Sequence, residues 1–136
     1  MSVEDNKRIV RRYQDIYNSN QLDALIEVLS EELLTPRILP GMPSGIKGAK
    51  AVHQVMLAGF PDYKTSIEDM VAEGDRVAVR IRMTGTHTGT FMGTPASGNK
   101  IDFTGMYIAR LKDGKIVEHW GEEDAISLLR QIGAMP

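Results

Sequence analysis

The spacing of apolar residues changes from a helical to a strand period near residue 60, and that change sets the fold class. Before it, Ile9, Val10, Tyr13, Ile16 and Tyr17 recur at helical spacing, opposite Lys7, Arg8, Arg11, Arg12 and Asp15. After it, Val77, Val79, Ile81 and Met83 alternate with Arg80, Arg82 and Thr84, the two-residue period of a half-buried strand. Helices followed by strands, rather than the two interleaved, predict an α+β domain with helices packed on one face of a curved, mainly antiparallel sheet.

Local signals divide the chain further. Ser2 with Asp5 three residues later is a capping box for the first helix, and Asn18-Ser19-Asn20 ends it. Leu22, Leu25, Ile26, Leu29 and Leu33 predict a second helix over 22–34. Residues 35–48 hold three prolines and three glycines, which exclude a regular helix or central strand. Loops of that length in compact domains tend to be functional. A third helix is expected over 49–59, stopped by Phe60-Pro61-Asp62. Four strands follow over 63–73, 76–88, 101–111 and 115–120, with Tyr63, Ile67 and Val71 sharing a face of the first. Asp113-Gly114 is a tight hairpin turn. Asp124 is a natural N-cap for a short last helix that Gly133 ends. One domain accounts for residues 1–136.

Composition narrows the function classes. Sixteen basic and 18 acidic residues leave a net charge of -2, without the basic stripe that nucleic acid requires. There is no cysteine, which removes disulfides, thiolate nucleophiles and cysteine-bound zinc. No run of about 18 apolar residues exists to span a membrane, and no signal-peptide core opens the chain. A soluble cytoplasmic protein is the expectation.

The stretches GTHTGTFMGTPASGNKIDFTG (85–105), DGKIVEHW (113–120) and DAISLLRQIGA (124–134) resemble the SnoaL-like polyketide and ester cyclases. These belong to the nuclear-transport-factor-2-like superfamily of cone-shaped α+β folds. NKRIVRRYQDIYNSNQLDALIEVL (6–29) and LPGMPSG (39–45) fit the same pattern, so the resemblance covers nearly the whole chain. It implies a small-molecule pocket between sheet and helices, a homodimer, and ring closure by an intramolecular aldol reaction without metal or cofactor. Such a reaction needs a base beside a carbonyl and an acid for the new oxyanion. Anchored on the DGKI turn, the family's catalytic histidine falls on Tyr107 and its aspartate on Gly121. Tyrosine can donate a hydrogen bond; glycine moves no proton.

The remaining acid/base residues therefore carry the expectation. His119 is the candidate base, placed on the pocket face with Val117 and opposite Ile116, Glu118 and Trp120. Tyr107 would donate to the oxyanion, and Asp124 or Glu122 would supply the missing carboxylate. His87, Tyr13, Tyr17, Arg37, Met83 and Phe103 are candidate ligand-binding residues, while His53 reads as a surface or boundary residue. The histidine and carboxylate spacings match no common metal-ligand pattern. A non-catalytic binding module or dimeric scaffold of the same fold is the alternative.

Overall fold

A computed structural model describes residues 2–35 and 41–136; Arg37, Ile38 and Leu39 of the proline-rich loop lie outside that set. Helix α1 (Val3–Asn18) opens with the expected box, in which the Ser2 hydroxyl accepts from the Asp5 amide and the Asp5 carboxylate from the Ser2 amide. A short 3-10 helix (Leu22–Glu27) leads into β1 (Leu29–Leu34). Helix α2 (Gly45–Gly59) precedes β2 (Lys64–Glu73), β3 (Arg76–Thr86), β4 (Lys100–Lys112) and β5 (Lys115–Glu123), and α3 (Ala125–Gln131) completes the order. The strands form one sheet in the order β1-β5-β4-β3-β2, antiparallel except for the β1–β5 pair. The α+β expectation holds.

The single helix expected over 22–34 is replaced by the 3-10 turn and an edge strand. Its leucine spacing fits a helix, but the Ile116 amide donates to the Val28 carbonyl at 2.8 Å and draws the segment onto β5. Sheet pairing with a strand some 90 residues away overrides the local period. Helix α2 starts at Gly45 rather than residue 49, with Ser44 in the N-cap position.

Two β-bulges decide which side chains face the helices. In β2, Ile67 pairs with Ile81 and Asp69 with Arg80, so Glu68 is the extra residue. Thr65, Ile67, Met70 and Ala72 consequently face inward, and Val71 faces outward at 60% exposure. In β5, Leu111 pairs with Ile116 and Arg110 with Glu118, so Val117 is extra. Ile116, His119 and Gly121 thereby share the inner face with Leu111, Ala109 and Tyr107. The expected grouping of His119 with Val117, and of Ile116 with Glu118 and Trp120, is corrected by that one inserted residue.

Burial falls into two clusters. One gathers Val10, Tyr13 and Ile16 of α1, Leu25, Leu29, Val77, Val79, Tyr107 and Ile116. The other gathers Phe60, Met83, Phe91, Ile101, Phe103, Leu128 and Ile132, where α3 closes over the end of the sheet. Each large apolar side chain so buried contributes about 1.5–3 kcal/mol.

Candidate active site

The inner face of β4–β5 and the apolar stripe of α1 meet in a wall of aromatic rings. His119 stacks on Tyr107, its direct neighbour but one across the hairpin, with ring centroids 4.4 Å apart and planes inclined by 25°. Tyr13 meets the same imidazole edge-on at 5.8 Å and Tyr17 at 4.9 Å. His53 of α2 continues the series, 4.7 Å from Tyr17 and 6.1 Å from Tyr63. Two imidazoles and four phenols thus line one continuous surface.

Burial governs their protonation. It lowers the His119 imidazole to about 4, so the ring is neutral across the physiological range. Among the described residues only its own backbone hydrogen-bonds to the ring, which leaves a neutral imidazole with one free lone pair. The phenols are pushed the other way by the same desolvation. Tyr13, Tyr63 and Tyr107 rise far above the usual phenol range, and Tyr17 rises least, to about 12. A hydrogen bond between Tyr13 and Tyr17 holds Tyr17 down. Tyr17 also donates to the Ala49 carbonyl at 3.4 Å.

Gly121 lies directly opposite Tyr107 across the hairpin. A Cβ at that position would sit 3.4 Å from His119 Cε1 and 3.8 Å from both Nδ1 and the Tyr107 Cβ. The imidazole of residue 119 therefore leans over the ground that a side chain at 121 would use.

The other sequence candidates do not converge on His119. Asp124 caps α3, accepting from the Ser127 amide at 3.1 Å and its hydroxyl at 2.7 Å, and these bonds keep its carboxyl below the usual range. It borders an outer groove of about 300 Å³ with Glu68, Arg80, Arg82 and Asp102. Glu122 pairs with the exposed Met106 and shares its outward face. β5 runs three residues beyond its expected end, so Glu122 and Glu123 are strand residues rather than the first turn of a helix. Glu123, opposite Gly105, is a carboxylate on the inner side of β5; its charge helps to raise Tyr63.

His87 is fully buried in the second cluster, 5.4 Å from the Phe60 ring. Its Nδ1 accepts from the Ser97 amide at 3.1 Å and lies 2.8 Å from the Ser97 hydroxyl, which orders the β3–β4 loop. Met83 and Phe103 pair across the sheet in that cluster and pack against Phe60, away from the ring-lined wall. Arg37 lies outside the described residues. His53, expected at the surface or its boundary, is buried, with Nε2 3.0 Å from Asn20 Oδ1. Among the described residues no three histidine or carboxylate side chains come together as a metal site, and no helix is long and apolar enough to cross a membrane.

Gln14 was missed. It falls on the apolar stripe of α1, four residues after Val10 and three before Tyr17, and is 6% exposed. A polar side chain at a stripe position was the available signal.

Comparison with known proteins agrees with this architecture. The family model described as SnoaL-like polyketide cyclase matches residues 7–132. The aklanonic acid methyl ester cyclase DauD of Streptomyces sp. (strain C5) is 28% identical over 131 residues, covering 92% of this chain and 80% of its own length. Among solved structures, TsrD from Streptomyces laurentii superposes with a TM-score of 0.89 at 27% identity, covering 99% of both chains. IdmH from Streptomyces antibioticus gives 0.84 at 32% identity, covering 94% of this chain and 98% of its own.

Proposed function

The chain belongs to the SnoaL-like polyketide cyclase family, and from that premise we propose that it closes a ring by acid/base catalysis centred on His119. The observation that carries this reading is the neutral imidazole stacked on Tyr107 and leaning over Gly121. The base has moved two residues along the same strand face, from the position of the family's aspartate to position 119.

The reaction needs no redox change and no cofactor. Neutral His119 takes a proton from a carbon next to a carbonyl, and the enolate so formed attacks a second carbonyl of the same molecule. The new alkoxide then recovers a proton from the imidazolium. The low basicity of the ring makes that return favourable and leaves the enzyme as it began. Beside the ring Tyr13 bonds to Tyr17 and Tyr17 donates to the Ala49 carbonyl, so the developing oxyanion would draw one of these phenol protons away from its present acceptor. Tyr107 serves as the platform under the base, because its own proton is given to Gln14 Oε1 at 3.0 Å. A polyketide methyl ester of the kind named for DauD is the first substrate to test.

The pH profile checks the identity of the base. Turnover requires neutral His119, so kcat/KM should rise as pH increases through about 4 and stay flat to neutrality. NMR titration of the His119 ring should give the same midpoint. An acid limb that persists in His119→Ala would assign the base to another group. Ligand binding without turnover in either form would make the protein a binding module.

We also propose a homodimer formed through the outer sheet face. Val71, Ala78, Ile108 and Trp120 are successive cross-strand partners and make an apolar row across four strands. Val71, Ile108 and Trp120 are all exposed. The flanking row Glu73, Arg76, Arg110 and Glu118 mixes both signs, with Arg110 bonded to Glu118 at 2.7 Å. Mixed charge around an apolar centre suits a second copy of the same surface better than a polyanion or a lipid bilayer. Light scattering should show the Ile108→Asp/Trp120→Glu variant as a monomer and the parent as a dimer. An unchanged mass would remove this face from the contact.

A further inference from the structure

Gln14 is buried, so its amide must find partners on both sides. It does so in a hydrogen-bond chain whose direction is fixed from one end. The Thr65 amide donates to Asn18 Oδ1 at 2.9 Å, and a backbone N–H can only donate. That atom of Asn18 is therefore the oxygen, and Asn18 Nδ2 correspondingly donates to the Thr65 carbonyl at 2.8 Å. The Thr65 hydroxyl gives its proton to the same Oδ1 at 3.2 Å, so toward Gln14 it can only accept. Gln14 Nε2 donates to it at 2.8 Å, and Gln14 Oε1 is left facing Tyr107, whose hydroxyl donates at 3.0 Å. No amide in this chain can be reversed without setting two donors or two acceptors against each other.

We infer that Gln14 is a positioning residue for His119: the polarised Asn18–Thr65–Gln14 chain pins the Tyr107 ring on which the imidazole stacks. The inference rests on the reading of His119 as the base. It adds that the reacting nitrogen is aimed from α1 through Tyr107, since the ring has no hydrogen bond of its own to another described residue. The rings facing His119 are Tyr107 of β4 and Tyr13 of α1, so a loosened Tyr107 opens one side of the imidazole to water.

Gln14→Met keeps the volume and removes both hydrogen bonds. Tyr107→Phe keeps the ring and removes only the hydroxyl. In each folded variant the His119 midpoint, read by NMR without any substrate, should move upward toward the ordinary histidine value by about one unit as water reaches the ring. With substrate, kcat should fall on the order of tenfold while KM stays within about twofold, the split expected for misdirected rather than lost binding. A midpoint unmoved within about 0.2 unit in both variants overturns the inference. If Gln14→Met does not fold, Tyr107→Phe decides alone, because it cuts the same link with no change at Gln14. The titration also separates this inference from the reading beneath it. A shifted midpoint in Gln14→Met, alongside full activity in His119→Ala, keeps the pin and discards the base. A lost activity in His119→Ala with unmoved midpoints discards the pin and keeps the base.

Discussion

His119→Ala should lower kcat for ring closure by about 10²–10⁴-fold with little change in KM, the range that a positioned general base supplies. The imidazole on the inner face is neutral and, among the described residues, hydrogen-bonds only to its own backbone. Tyr107 remains pinned by Gln14 when the stacked ring is removed, so the wall should keep its shape and substrate should still bind. Single-turnover kinetics on a methyl ester substrate measures the effect; an unchanged rate constant would take His119 out of the reaction. The same variant has a signature in stability. The unfolded chain protonates this histidine at about 6.5, whereas the folded protein resists until about 4. The unfolded state therefore binds more protons in that window, and the parent loses stability as pH falls through it. His119→Ala should lose that component of acid sensitivity.

Gly121→Asp should raise the His119 midpoint by about 1–3 units, the effect of a carboxylate placed beside an imidazole. The space permits it. The added Cβ stands 3.4 Å from Cε1 and 3.8 Å from Nδ1, ordinary contact distances that bring the carboxylate within reach of the ring nitrogen. A carboxylate stabilises the imidazolium, so the acid limb of kcat/KM should move from about 4 toward neutrality. Activity at pH 5 should then fall while activity above neutrality is kept. NMR titration of the two forms is the direct measurement. A midpoint that stays put or drops would mean that the side chain at 121 does not face His119. Adding Tyr107→His to Gly121→Asp supplies the histidine and aspartate that the family resemblance implies for these positions, and sets the two proton-transfer designs in one background.

The long alternations of β3 and β4 could be read directly from Val77–Met83 and Ile101–Leu111, because no bulge interrupts that pairing. The Ser2–Asp5 box and the Asp113-Gly114 turn were equally legible; both turn residues take positive φ, 51° and 80°, as their residue types allow. What could not be read was non-local. Residues 29–34 carry a helical leucine spacing and become a strand only because β5 offers an edge. Val71 changed faces, and Ile116 took the place of Val117 beside His119 on the inner face, because bulges at Glu68 and Val117 insert one residue into a two-residue period. At the site, Tyr13, Tyr17, Tyr107 and His119 were recognisable by residue type and end up in one wall. His53 and Gln14 were not, since their partners Tyr63, Thr65 and Tyr107 arrive from distant strands. Asp124 could be read both as helix cap and as acid, and the cap is the role for which its hydrogen bonds are made.

The bulge at Val117 has a consequence for how such a protein can change over generations. Deleting Val117 would leave every other pair in place, whereas flattening the bulge with all residues kept would slip the downstream register by one, turning His119 toward the outer face and Trp120 toward the tyrosines. One strand thus stores two alternative side-chain sets, one for chemistry and one for contact with a second copy, and the presence or absence of the bulge exchanges them. Substitutions tune this wall gradually; a frame change in the pleat would replace it at a stroke while leaving the backbone path nearly intact. Relatives that differ by one residue between the DG turn and the last helix are therefore best aligned by the side of the sheet each residue occupies.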